Sequence, residues 1–464
     1  MEKQERSSFS SRVGFVLAAA GSAVGLGNLW RFPYLAARYG GGIFLLVYLI
    51  LVVTFGFSLM ITEFAIGRKT KLSCIGAYGA LDKRFSFLGW IAAFVPLIIT
   101  PYYCVIGGWV MKYLWTFLSG GALEAADNGG FFSRFISFDA GSLPATMLNF
   151  SGPTPWFVLF VLITGLVVIF GVQKGIENAS RLMMPVLAVL IVVIALYSLT
   201  IPGALAGLKY YLMPDFSQFS ASTVLGACGQ MFYSMSLAMG ITITYGSYMP
   251  KENLLEHSVT QIEIFDTLFA FFAGLMIIPA VFAFSGGDME TLQAGPALTF
   301  ITLPKVFASM GIGTIVGIAF FLMFLFAALT SAISLLETSV STLNDELHWS
   351  RGKCCLLMVV VMLVIGTASS FGYGIWDSVK ILGMQFLDFF DFLTNSVMMP
   401  IAALATCILI LKVVGFKRMD AEIEQSSDFK RKKLYHFFLK YLASACVIII
   451  LLSSIANVLG WISM

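Results

Sequence analysis

Charge is scarce in this chain. Asp, Glu, Lys and Arg make up only 11% of its 464 residues, against roughly 25% in ordinary soluble domains. So few charges cannot cover a water-facing surface of this size, which excludes a soluble globule, a disordered chain and a secreted scaffold. Histidine is rarer still: His257, His348 and His436 are scattered through polar stretches without metal-ligand spacing. The net charge of +3 is too small to attract a polyanion, so no nucleic-acid partner is expected. Seven cysteines lie mostly inside apolar runs, no two in one expected outer loop, and read as packed thiols. The polar stretch 1–12 has no cleavage site, so no signal peptide is expected. What is abundant is apolar: 59% of the residues, with 43 Phe and 43 Gly. The lipid bilayer must be the solvent.

Apolar runs fall near 13–37, 42–67, 87–117, 155–171, 180–200, 222–248, 259–285, 312–343, 353–371, 378–412 and 434–462. Most reach the ~20 residues that a spanning helix needs, and they are too long for strands. The sequence therefore predicts an all-α polytopic membrane protein with eleven transmembrane helices. Its expected layout is an N-terminal tail over 1–12, a first five-helix repeat over 13–200, a second over 201–412 and a linker with the last helix over 413–464. The stretch 291–305, with Pro296 and Pro304, predicts a helical hairpin in the outer loop between spans seven and eight. With the N-terminus inside, only Arg31, Arg38, Lys112, Arg134, Lys209, Lys305 and Lys380 of the 28 Lys and Arg face outward. That excess sets a cytoplasmic N-terminus and an external C-terminus. The run Lys430-Arg-Lys-Lys433 reads as a membrane-surface anchor rather than a binding site.

Two spans are built to break. Span one reads Gly21-Ser-Ala-Val-Gly-Leu-Gly-Asn28, and span six reads Ser234-Met-Ser-Leu-Ala-Met-Gly240. Each Gly alone would suit close helix packing. Lesions in the first helix of both five-helix halves point instead to a midplane site in an inverted-repeat transporter. Opened N–H groups can bind a carboxylate and opened C=O groups a cation. Thr330 and Ser331 in span eight follow Ala327; either they bond their own helix carbonyls or they add oxygen ligands for a small monovalent ion. Acids within spans are costly and informative: Glu63, Asp266, Asp388 and Asp391. Arg31 with Asp391 is a candidate outer gate, and Arg6 with Asp345 an inner one; the alternative is a static snorkelling pair.

Gly21-Ser-Ala-Val-Gly-Leu-Gly-Asn-Leu-Trp-Arg-Phe-Pro-Tyr34, with Gly40-Gly-Gly42, resembles the first-helix signature of the neurotransmitter:sodium symporter family. Gly229-Gln-Met-Phe-Tyr-Ser-Met-Ser-Leu237 with Ile243-Thr-Tyr-Gly-Ser-Tyr248 resembles its sixth helix, and Ala327-Ala-Leu-Thr-Ser331 its eighth. The likeness runs over essentially the whole chain. It implies the bacterial leucine transporter-like fold, two inverted five-helix repeats plus one extra helix, in an eleven-span bacterial amino-acid transporter of the inner membrane.

The resemblance also implies roles. A first sodium site would use Ala23, Asn28, Ser234, Asp266 and the substrate carboxylate; a second would use Gly21, Val24, Ala327, Thr330 and Ser331. The carboxylate would meet the N–H groups of Leu26 and Gly27 and the Tyr103 hydroxyl, and the amine would meet carbonyls near Ser22, Tyr233 and Ser236. Ile99, Tyr233, Met239 and Leu335 would hold the side chain, with Ser331 beside them. Gly25, where monoamine transporters of the family carry Asp, supplies no charge, so the ligand must bring a carboxylate. Gly175 and Pro185 match a Gly-x9-Pro pattern proposed to unwind as the inner gate opens. Three departures stand out: Tyr233 replaces a common Phe lid, Ala238 a usual Gly, and Asp266 a common Asn. Chloride-dependent relatives hold the anion with Tyr, Gln and two hydroxyl residues. Tyr48, Gln230 and Ser234 match, but the fourth position falls on Ala270. Chloride is therefore not expected to be required, unless Asp266 is protonated or paired with Lys251. The leading expectation is a sodium-coupled symporter of a neutral, hydrophobic or aromatic L-amino acid working by alternating access. Proton coupling through Glu63 or Asp266 stands as its alternative, and a channel or receptor as a different class. A channel needs a continuous polar pore, and an enzyme a nucleophile with its base or a metal cluster; neither pattern occurs.

Overall fold

The structure is a computed structural model that describes residues 7–127, 129–287, 295–443, 445, 448, 449, 451 and 452. It is almost wholly helical; the two isolated bridges, Gly41 with Pro214 and Ile381 with Met384, are its extended pairings among those residues.

The first span is a bent pair, α1a (Arg12–Ala23) and α1b (Gly27–Arg38), meeting at 51°. Ser11 caps α1a by accepting from the Gly14 N–H at 3.0 Å. The helix stops at Val24, whose backbone is extended. Then come α2 (Gly42–Thr70), α3 (Ser86–Leu118), α4 (Thr154–Ile169) and α5 (Val172–Ser198). The sixth span is again two helices, α6a (Ala221–Ser234) and α6b (Ile241–Tyr248). A reciprocal Ser220–Thr223 capping box starts α6a. The chain continues as α7 (Leu255–Ser285), α8 (Gly313–Leu347), α9 (Arg351–Phe371), α10 (Phe386–Val414) and α11, which begins at Lys432.

Helix thus occupies the described part of every expected span, with three adjustments. Span five starts earlier than 180, in a wide π-type turn over Val172–Glu177. A Cβ on Gly175 there would sit 2.0 Å from the Val167 carbonyl oxygen, so the turn tolerates no larger residue. Span ten starts at Phe386, not 378, because Gly372 to Gln385 is spent in turns, with positive φ at Leu382 and Gly383. Of the hairpin expected over 291–305, residues 291–294 lie outside the described part; the remainder enters helix at Leu298 and continues to Ala308. The six described cysteines are buried thiols, and Cys446 lies outside the described residues.

The broken helices sit where packing is tightest. α8 runs along α3, α6b along α2, and α1a is wedged among α5, α7 and α8. Every residue from Phe15 to Ala23 except Leu17 is buried. Gly240, at φ +73°, opens α6b against Cys74, and a Cβ there would lie 2.2 Å from the Cys74 sulfur. Conformation and space both require glycine at this point.

Candidate functional site

The two breaks face one another and leave a cavity with about 350 Å³ of empty space. All thirteen residues expected around the substrate line it, from Ser22, Ala23, Gly25, Leu26 and Gly27 of span one to Ser331 and Leu335 of α8. The expectation missed one liner, Ile241. It also missed Ser334, whose hydroxyl lies 2.7 Å from that of Ser22. Ser334 stands three residues after Ser331 on one helix face, which was the signal available for it.

The cavity is closed on almost every side. Thirteen of its fourteen liners are buried, and only Tyr233 is partly exposed. Arg31 lies over the Tyr233 ring, 5.3 Å from its centroid. Asp391 faces the same region but does not pair directly with Arg31 within 4.0 Å. Its Oδ1 accepts instead from the Tyr102 hydroxyl at 3.1 Å and the Asn395 amide at 2.5 Å. The outer pair expected from sequence is therefore drawn apart: the Tyr233 ring takes the guanidinium, and α3 and α10 supply the donors for the acid. At the inner end Arg6 lies outside the described residues, while Asp345 accepts from the Ser73 N–H at 2.8 Å. The tail closes that side by other means. Phe9 is buried edge-on against Phe15, Tyr245 and Tyr248, and its N–H donates to the Tyr248 carbonyl.

Opened backbone and hydroxyls converge in the cavity wall. The Leu26 N–H points to the Tyr103 hydroxyl at 3.4 Å. The Gly25 N–H reaches Asn28 Oδ1 at 3.3 Å, and a Cβ on Gly25 would meet the Ser331 hydroxyl at 2.5 Å and the Tyr103 hydroxyl at 3.0 Å. Ser236, at φ +53°, donates to the Ser22 carbonyl at 3.0 Å.

Two oxygen clusters flank this wall. In one, the Ser331 hydroxyl lies 3.4 Å from the carbonyls of both Gly21 and Val24, and Thr330 Oγ1 lies 3.1 Å from the Ala327 carbonyl. Thr330 also bonds the Phe326 carbonyl at 3.0 Å, so its hydroxyl bonds carbonyls of its own helix. In the other, Asp266 is fully buried and its carboxylate gathers four helices. Oδ1 accepts from Asn28 Nδ2 at 2.8 Å and the Ser234 hydroxyl at 2.6 Å, and Oδ2 accepts from the Tyr48 hydroxyl at 3.2 Å. No ion pair joins Asp266 to Lys251 among the described residues. Gln230, also buried, donates to the Gly27 carbonyl at 3.0 Å and leaves its own Oε1 without a partner. Uncharged and carboxylate oxygens in such clusters suit hard cations. No group of three His, Cys, Asp or Glu able to hold a transition metal occurs among the described residues.

Glu63 has a different use. Its Oε1 accepts from the Ala238 N–H at 3.0 Å and its Oε2 from the Thr242 hydroxyl. Ala238, at φ +59°, sits in the break itself. The carboxylate thus satisfies the donors that the interrupted α6 exposes.

The described helices include seven long and apolar enough to cross a membrane, and the bent pair of span one makes eight. A family model for the sodium:neurotransmitter symporter family matches residues 6–123 and 131–461. A sodium-dependent transporter of Bacillus subtilis (strain 168) is 34% identical over 461 residues, covering 98% of this chain and 99% of that one. One from Methanocaldococcus jannaschii is 34% identical over 440 residues, covering 93% and 86%. The crystal structure of MhsT in complex with L-phenylalanine superposes with a TM-score of 0.86 at 37% identity, covering 97% of this chain and 100% of that one. Agreement of this extent, in a multi-pass chain broken at the same two helices that enclose its cavity, places the protein in the sodium:neurotransmitter symporter family, as a sodium-dependent transporter and not an enzyme.

Proposed function

We propose that the chain carries a neutral α-amino acid with an apolar or aromatic side chain into the cell by symport with sodium. The observation that carries this reading is the cavity wall at Gly25 to Gly27. It offers backbone N–H groups and the Tyr103 hydroxyl to a carboxylate, with no acid to meet a bare amine. Ile99, Met239, Ile241 and Leu335 leave an apolar volume for the side chain. The likeness to a protein crystallised with L-phenylalanine supports the same class.

Two sodium ions fit the oxygen clusters. One takes Ala23, Asn28, Ser234, Asp266 and the substrate carboxylate; the other takes Gly21, Val24, Ala327, Thr330 and Ser331. Sodium is preferred over proton coupling because both Glu63 oxygens already cap the break in α6. Tyr233 and Arg31 close the outer side with Asp391 beside them, and the tail around Phe9 closes the inner side. Lys and Arg placement supports a cytoplasmic N-terminus and an external C-terminus, and the likeness to a transporter of Bacillus subtilis supports residence in a bacterial inner membrane.

The test is radiolabelled uptake into proteoliposomes with and without an inward sodium gradient, across neutral amino acids and their decarboxylated amines. Concentrative uptake of an apolar or aromatic amino acid, lost without sodium, is expected. Tight binding of an amine with none of its parent amino acid would overturn the assignment.

A further inference from the structure

The run Lys430-Arg-Lys-Lys433 does not act as one unit. Arg431 turns inward: its guanidinium lies 3.4 Å over the Phe57 ring of α2 and pairs with Glu263 of α7 at 2.8 Å. The backbone N–H groups of Lys430 and Arg431 donate to the Glu256 carboxylate at 2.8 and 2.9 Å. Lys432 pairs with Asp420 at 3.2 Å and Glu424 at 2.9 Å. Glu422 is taken by Arg68, a fully buried cation of α2, at 2.8 Å. The Phe416 ring lies 4.1 Å from that of His436, and His436 bonds Asp420 at 2.9 Å. The short helix Phe416–Ile423 is therefore folded back onto the first turn of α11 and bolted to α2, while Lys430 and Arg431, just before α11, are bolted to α7.

This arrangement spends three of the four acids of the linker, leaving Asp428 exposed, and leaves four of its cations unspent. Asp420 and Glu422 are buried and paired, and Glu424 is held by Lys432 at the surface. Lys417, Arg418, Lys430 and Lys433 are exposed and make no ion pair among the described residues. They lie on the two folded-together stretches that join α10 to α11. Immediately beyond Lys433 the same helix exposes Phe437, Tyr441, Ile448, Ile449 and Leu452. Exposed apolar residues in a spanning helix meet acyl chains, and aromatic rings at its end mark the headgroup level. The four cations are held at that level by covalent connection. Lys and Arg there donate strong hydrogen bonds to phosphate, each worth about fivefold in affinity for an anionic surface.

We infer that the α10–α11 linker is a binding surface for anionic phospholipid headgroups, with Lys417, Arg418, Lys430 and Lys433 as its phosphate contacts. The internal pairs make it a surface of fixed shape, not a loose polybasic tail.

The experiment compares retention of phosphatidylglycerol and phosphatidylcholine by the purified full-length protein, by native mass spectrometry from mixed micelles. The wild type should prefer phosphatidylglycerol. K417Q/R418Q/K430Q/K433Q should lose that preference at least tenfold while still eluting as a monodisperse, sodium-stabilised protein. K417R/K430R/K433R should keep it. A control, K69Q/K83Q/K174Q/K353Q, removes four exposed lysines elsewhere and should also keep it. Equal loss in the control would mean that the cations act only through general surface charge, and would overturn the site. Displacement of the bound lipid by millimolar glycerol phosphate would make a free phosphate the ligand, and would equally overturn it. Should the quadruple glutamine variant fail to fold, K417Q/R418Q and K430Q/K433Q are each expected to lose part of the preference. Full retention in both would refute the inference.

Discussion

Asp266→Asn isolates the charge at the first sodium site. In the structure, Tyr48 and Ser234, two of the side chains at which relatives are expected to hold chloride, aim their hydroxyls at the Asp266 carboxylate. On the proposed reading, the carboxylate would take the electrostatic role of the anion. On that reading, two Na⁺ with a zwitterionic substrate would bring a net +2 into a buried site, and Asp266 would reduce it to +1. A charge pair at about 4 Å is worth ~4 kcal/mol at an effective dielectric constant of 20. Removing it should weaken sodium activation by roughly 10²- to 10³-fold. The amide also turns one acceptor into a donor facing the Asn28, Ser234 or Tyr48 donors, so relief by repacking is small. The assay is sodium-activated uptake in gluconate and in chloride buffer. The wild type should be indifferent to the anion. Asp266→Asn should be nearly inactive in gluconate. Adding Ala270→Ser, one turn further along α7, should restore uptake in chloride alone. A wild type that stops in gluconate, or an Asp266→Asn protein that transports normally there, would refute the reasoning.

Tyr103→Phe should weaken substrate binding by about 1.5–3 kcal/mol, the usual worth of a hydrogen bond to a charged group, which scintillation-proximity binding reads as roughly a 10- to 150-fold rise in Kd. Unchanged affinity would remove Tyr103 from the carboxylate site. Thr330→Ala with Ser331→Ala deletes two of five oxygens and should abolish sodium-driven accumulation in a protein that still elutes as a folded monomer. Normal accumulation would put that ion elsewhere. Ala238 holds a left-handed conformation that costs a β-branched residue most. Ala238→Val should therefore lower the thermal midpoint by the equivalent of more than ~1 kcal/mol, while Ala238→Gly should not lower it. Equal midpoints for the two variants would contradict the strain.

Much of the site was legible because it is written locally. The glycines and polar residues of 21–28 and 234–240 announce helix interruption wherever they fold, and two interruptions in matching positions imply a shared cavity. Asp266 was legible as an acid inside an apolar run. The pairing of side chains across helices was less so. Arg31 and Asp391 seemed natural partners by depth, yet the Tyr233 ring lies under the guanidinium, and Tyr102 and Asn395 satisfy the acid. Depth along a span can be read from sequence, but the azimuth of each helix about its axis depends on packing. The start of α10 was misplaced because the residues before it are apolar enough to extend a span, and the turns at Gly372, Gly374 and Gly383 outweigh that composition. Arg68 gave no signal, because a cation at the end of a span normally reads as a snorkelling side chain and not as a buried bolt.

The hub at Asp266 also bears on how such a protein can change over generations. On the prediction above, a chain that loses the acid first would pass through an inactive intermediate. One that acquires serine at position 270 first does not: the residue is buried on α7, and a new hydroxyl there can bond its own helix carbonyl one turn back. The order of substitution is therefore constrained, with the silent step before the costly one. If the Asp266 prediction holds, dependence on an external halide would be reachable from this sequence in two changes taken in one direction, and the reverse journey would begin by restoring the aspartate.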